Sequence, residues 1–160
     1  MLFDRYAGKM MSVCLRYAND HSEAQDILQV GFVKVFDYMH QFRNQGSFEG
    51  WMRRVFVSVA LRQFNKKKLR FDEIAEDHLD MPSDDATVFS KISEDEIHRL
   101  IRSLPDGYRT VFNLHVIEGY SHEEIAGMLK IQASTSRTQL LKARKLLQGL
   151  ILKCFNLIAV

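Results

Sequence analysis

The sequence predicts an all-α protein of two small helical domains joined by an acidic flexible linker, the second domain containing a helix-turn-helix. Three observations carry this. Only Pro82 and Pro105 interrupt a chain rich in Leu, Ile, Met, Lys, Arg, Gln and Glu, so helix is the default conformation. Apolar residues recur at helical spacing in both halves, and an apolar content of 46% suffices for helical cores. Charge is distributed in blocks. Residues 43–70 carry eight basic residues against one acidic, and residues 71–98 carry ten acidic against one basic. Residues 99–160 are basic again, nine against four. A net charge of only +2 hides two basic segments around an acidic one, which suggests two separate polyanion contacts.

The first helix is expected over residues 2–18, where Leu2, Phe3, Tyr6, Met10, Val13, Cys14 and Tyr17 form one apolar stripe. A turn at Asn19-Asp20-His21-Ser22 follows, with Ser22 as the expected cap of a second helix running from about Glu23 to Met39. That helix carries Ile27, Leu28, Val30, Phe32, Val33, Val35 and Phe36, more than one buried face requires, so part of it is read as a docking face. The polar stretch from Gln41 to Phe48 reads as a loop. The next helix, about Phe48 to Lys67, is expected to bury Trp51, Val55 and Val59. Its outer surface would be basic, with Phe48, Phe56 and Phe64 exposed beside the cations; cations with aromatic platforms suit single-stranded nucleic acid, although a solvated charged face fits too.

Residues 71–92 read as the acidic linker between a domain at 1–70 and a domain at 93–160. The second domain opens with Ile97, Leu100, Ile101 and Leu104 on one helix. Pro105 is placed to start the next, where a missing N–H costs little, and Gly119 to stop it. Ser121 and Glu124 then have the spacing of a capping box. Ile125, Met128 and Leu129 give a short helix; after Lys130-Ile131-Gln132 a second helix is expected to carry Leu140, Leu141 and Leu147 inward. Two helices about one tight turn form a helix-turn-helix, whose second helix presents its N-terminal turn to a major groove. Ser134, Thr135, Ser136, Arg137 and Gln139, with Lys142 and Arg144, have the chemistry for phosphates, guanine and adenine. An ordinary helical hairpin with a solvated basic face is the alternative, and the stretch by itself favours DNA binding over it.

Other chemistry finds little support. Cys14 and Cys154 are isolated thiols, and the six histidines show no ligand spacing, so no metal or other cofactor is expected. The acidic pairs Asp84-Asp85 and Glu123-Glu124 lack the shielding apolar surroundings of a catalytic dyad, and no enzyme activity or small-molecule substrate is expected. No run approaches the length of a membrane span, and the first residues lack the pattern of a signal peptide, so a cytoplasmic protein without membrane insertion is expected.

Taken together, these residues resemble a bacterial RNA polymerase sigma factor of the extracytoplasmic-function (ECF) class of the sigma-70 family. In the first half the matching residues are Asp26-Ile27-Leu28-Gln29 with Phe32, Ser47-Phe48 with Gly50-Trp51, and Ala60. In the second they are Leu104-Pro105, Tyr108-Arg109, Val111-Phe112, Gly119-Tyr120-Ser121, Glu124-Ile125-Ala126, Leu129, Thr135, Leu140 and Ala143-Arg144. The resemblance implies a transcription initiation factor. Residues 1–70 would bind core RNA polymerase through Asp26, Leu28, Gln29 and Phe32. The same domain would open the −10 element with Arg43, Asn44, Gln45, Ser47, Phe48, Trp51, Arg54, Ser58, Arg62 and Lys66. Residues 93–160 would read the −35 element as duplex through Ser134 to Arg137, Gln139, Lys142 and Arg144. Partners implied are core RNA polymerase, promoter DNA and an anti-sigma factor.

The sequence departs from the family pattern at five positions. Lys130 stands where the turn usually has glycine, so a left-handed backbone there would cost about 1 kcal/mol. Gln132 replaces a usual Ser cap and Ser134 another glycine; Ser58 and Val30 replace a common Asn and Glu. Two rival classes are a stand-alone helix-turn-helix regulator and a helical interaction protein that touches no nucleic acid.

Overall fold

A computed structural model describes the backbone of residues 1–71 and 92–158, and the side chains of residues 1–68 and 92–154. The described residues are helical, without a strand. The chain divides into two compact units, Met1–Ile74 and Ala75–Val160. The acidic linker expected at 71–92 lies, apart from its two end residues, outside the described residues.

The first unit is a three-helix bundle of α1 (Leu2–Tyr17), α2 (His21–Tyr38) and α3 (Phe48–Phe71), with a single 3-10 turn at Met39–Gln41 after α2. Met10, Val13, Cys14 and Tyr17 of α1 are buried, as the stripe predicts, whereas Phe3 stays half-exposed and packs on Phe32 with ring centroids 4.8 Å apart. The cap of α2 is Asp20, not Ser22. Its extended backbone lets Oδ1 accept from the Glu23 amide at 2.8 Å, and the Glu23 carboxylate accepts from the Asn19 amide at 2.9 Å, so the helix starts two residues earlier, at His21. Lys67 Nζ then bonds the other Glu23 oxygen at 2.7 Å, tying the far end of α3 to the start of α2.

The central contact of this unit is Phe56. It was expected to lie exposed, yet it is fully buried, edge-on to Phe32 at 5.2 Å and pressed against Gly31. Only a glycine on α2 leaves room for the ring; burying it stabilises the unit by about 1.5–3 kcal/mol. Phe64 is half-buried.

The second unit contains α4 (Glu94–Arg102), α5 (Asp106–Phe112), α6 (His122–Leu129) and α7 (Ala133–Ile158). Ser93 starts α4 with a capping box to Glu96, which holds the Glu96 carboxyl below its ordinary pKa. Pro105 sits at the cap of α5, one position before the first helical residue. The end of α5 widens into a π turn at Asn113–Ile117, closed by the Glu118 amide donating to the Asn113 carbonyl at 3.0 Å. Gly119, at φ +81°, ends it. The extra residue of the π turn swings His115 toward α6, where its ring stacks on His122 at 4.3 Å.

Candidate nucleic-acid interface

Two basic surfaces stand out, one on each unit. In the first, the predicted loop folds by a division of labour between aromatic and polar residues. Phe42 and Phe48 collapse onto Trp51, with centroid distances of 5.7 and 5.5 Å, and Tyr6 meets Phe48 at 6.1 Å. Those rings anchor both ends of the loop. Between them Arg43, Asn44, Gln45 and Ser47 remain exposed, and the chain reverses through Asn44 at φ 54° and Gly46 at φ 89°. A positive φ at Asn is tolerated because its short side chain costs little there. Ser47 also caps α3, its Oγ accepting from the Gly50 amide at 3.0 Å.

One turn further, Arg54, Ser58 and Arg62 follow one another on the exposed side of α3, with Lys66 continuing the row. Trp51, Arg54, Ser58 and Arg62 line a groove of about 400 Å³ together with Lys34 and Tyr38 of α2. Lys34 Nζ lies 5.6 Å from the Tyr38 ring centre. The sequence did not single out these two residues, because only packing of α2 against α3 brings them beside the row. The groove thus combines three cations with two aromatic rings and a hydroxyl, which suits a polyanion carrying planar groups.

The residues expected to bind polymerase divide. Asp26 and Gln29 are exposed, but Leu28 and Phe32 are buried in the bundle core. The apolar residues exposed on this helix are Val30, Val33 and Phe36 instead, with Phe3 beside them. The expected surplus of apolar residues on α2 is present as these exposed side chains, on a different side of the helix from the buried Leu28 and Phe32.

On the second unit the helix-turn-helix forms as α6 and α7. The Ser121–Glu124 capping box is present, with the Glu124 amide donating to Ser121 Oγ at 3.1 Å and the Ser121 amide to Glu124 at 2.8 Å. Lys130 takes the left-handed conformation that its place in the turn demands, φ 55° and ψ 46°. α7 starts at Ala133, so Ser134 lies inside the first turn and does not replace Gln132 as its cap.

Of the predicted reading residues, Ser134, Thr135, Arg137, Lys142 and Arg144 are exposed. Ser136 is not. It is fully buried, its Oγ 2.9 Å from His122 Nδ1, because the π turn and α6 bring the histidine pair over that position. Gln139 is half-buried and leans on α5, close enough that a Cβ at Gly107 would come within 2.8 Å of its Oε1. Arg137 Nη1 donates to Glu123 Oε1 at 3.1 Å. A backbone amide in the first turn of α6 and that guanidinium hold the Glu123 carboxyl below its usual pKa. Burial, with His115 and Arg137 nearby, lowers the pKa of His122. Leu141, expected inward, is 56% exposed.

Comparison with known proteins separates the readings. The pattern of sigma-70 region 2 matches residues 2–70, and that of sigma-70 region 4 matches residues 94–147. The chain belongs to the sigma-70 family. Within it, the chain is an ECF sigma factor, a promoter-directing subunit and not a stand-alone regulator: both regions occur in order. It is 28% identical over 157 residues to the RNA polymerase sigma-H factor of Pseudomonas aeruginosa, covering 91% of this chain and 81% of that one. With the ECF sigma factor SigW of Bacillus subtilis it shares 29% identity over 160 residues, covering 92% and 85% respectively. The fold is similar to that of the sigma factor RpoE from Bartonella quintana, solved in complex with the anti-sigma factor NepR, with a TM-score of 0.56 over 93% of each chain at 16% identity. Among the described residues no helix of this sigma factor is long and apolar enough to cross a membrane.

Proposed function

We propose that this sigma factor divides promoter recognition between its two units. Residues 1–70 hold core polymerase and open the −10 element, residues 93–160 read the −35 element as duplex, and the acidic stretch 71–92 joins them. The observation that carries the first role is the groove between α2 and α3. Lys34, Arg54 and Arg62 supply charge for a phosphodiester strand, while Trp51 and Tyr38 offer faces on which an unpaired base can stack. The exposed tip Arg43 to Ser47 stands beside it as a source of hydrogen bonds to base edges. Unstacking costs a few kcal/mol per base, and stacking contributes about 1–3 kcal/mol, so the groove offsets much of the cost of opening.

Docking on core polymerase falls to Asp26 and Gln29 with the exposed Val30, Val33 and Phe36, while Leu28 and Phe32 support that face from inside. On the second unit Ser134 and Thr135 at the start of α7, with Lys142 and Arg144, anchor phosphates, and Arg137 reaches a base edge once it leaves Glu123. The factor acts by binding, in the cytoplasm, without catalysis or a small-molecule substrate of its own. An anti-sigma partner is supported by the NepR-bound state of the protein of like fold.

Transcription by core polymerase reconstituted with the full chain tests the reading: initiation at defined promoters is expected, and the absence of both core binding and promoter-dependent transcripts would overturn it. Replacing Ser47 and Phe48 by alanine should leave core binding and duplex binding in place and remove permanganate-reactive thymines at −10.

A further inference from the structure

The outward face of α7 carries a feature that phosphate anchoring does not use. Ser136, Leu140, Ala143 and Ile151 are buried and define the inward face of the helix. At 100° per residue, Ser134, Thr138, Leu141 and Lys145 recur at intervals of four, three and four on the opposite face. All four are exposed. Leu141 is thus an apolar side chain held at the crest of the helix, flanked by Lys142 and Lys145. Thr138, one turn before it, donates its Oγ1 to the Ser134 carbonyl at 3.0 Å. With its proton given to the backbone the hydroxyl is left with acceptor capacity alone, and the methyl is the apolar surface the side chain offers.

Resting on the −35 assignment above, we infer that Leu141, with the Thr138 methyl beside it, selects a thymine by its 5-methyl group in the −35 major groove. The 5-methyl is the one apolar group that bases display in that groove, and it tells thymine from cytosine where hydrogen bonds need not reach. The flanking lysines fit the same occupant, since they would meet the phosphates on either side of a groove-borne helix. A polymerase surface is the competing occupant, and it has no reason to respond to a methyl on DNA.

The test uses the full chain reconstituted with core polymerase. Active −35 elements are selected from a promoter library randomised at −35, and each thymine of a selected element is then replaced in turn by deoxyuridine, which removes only the methyl. With the wild-type chain, one such replacement should lower initiation about fourfold, the worth of one buried CH₂ group. Leu141→Ala should start from the lower rate and respond equally to thymine and uracil at that position; Thr138→Ser, which keeps the hydroxyl and trims the methyl, should show a reduced response. Circular dichroism checks that both exposed-site variants fold. The inference is overturned if the selected elements contain no methyl-sensitive thymine, if Leu141→Ala keeps the sensitivity, or if Leu141→Ala loses activity equally on all templates. Initiation from no library member at all would instead remove the −35 reading on which the inference rests.

Discussion

Two glycines in the first unit should respond in opposite directions to the same substitution. Gly8 and Gly31 both lie inside helices, where glycine is about 1 kcal/mol less favourable than alanine. Around Gly8 a Cβ would meet nothing within 4 Å, so Gly8→Ala should stabilise the unit by about that amount. A Cβ on Gly31 would overlap three ring carbons of Phe56. That ring is fully buried and wedged edge-on against Phe32, so it has nowhere to rotate. Overpacking of this kind costs about 1–3 kcal/mol, and so direct an overlap belongs at the upper end. After the helix gain is subtracted, Gly31→Ala should destabilise by about 2 kcal/mol, a fall of roughly 10 °C in Tm for a unit this size. Trp51 is the one tryptophan of the chain and lies in this unit, so urea titration followed by its fluorescence reports this transition selectively. Adding Phe56→Leu to Gly31→Ala should lose less than the two single costs summed, because the smaller side chain vacates the contested space. A Gly31→Ala protein as stable as Gly8→Ala would refute the packing argument.

Arg137→Ala should cost about 1–3 kcal/mol at one −35 base pair and leave other positions unchanged if the guanidinium reads a base; equal losses on every duplex in a competition assay would make it a phosphate anchor. Burial and nearby positive charge keep the His122 pKa below 6.5, so the unfolded chain binds a proton that the folded one resists. Stability of the second unit should therefore fall as pH drops from about 6.5 toward the folded pKa, and His122→Asn should flatten that slope in pH-dependent urea titrations. Burial pushes the Cys14 thiol up to about 12, whereas Cys154 is only half-buried. Mass spectrometry after iodoacetamide treatment at pH 8 should find Cys154 alkylated in the native protein and Cys14 only after denaturation.

The clasp between Arg137 and Glu123 bears on how the proposed −35 reader behaves before it meets DNA. Both side chains are more than half exposed, so the pair contributes little to stability. Its consequence is geometric: the guanidinium is parked over α6 and must exchange a carboxylate for a base or phosphate. That exchange is cheap for a reader already held near DNA by a second contact, which is the situation of one unit within a polymerase-bound factor.

Much of this protein was legible in its sequence. Capping signals, proline and glycine placement and the 3.6-residue period located the helices, and the Ser121–Glu124 box with the following turn marked the helix-turn-helix. The basic blocks fall in separate units, as charge segregation along the sequence survives folding whatever the packing. The facing of individual side chains did not follow so directly. α2 and α3 are apolar over more than half their circumference, so periodicity leaves their rotation open. Only contact with Gly31 decided that Phe56 turns inward, and only the bundle core decided that Leu28 and Phe32 are buried while Val30, Val33 and Phe36 stay exposed. In α7 the decision came from the π turn, which a local pattern does not announce: it carries His115 against His122, and His122 claims Ser136 for the interior. With Ser136 inward, helical geometry sets Leu141 outward. The tertiary structure thus fixed the phase of each helix, since a helix shows its period in sequence but its inward face is set by its partners.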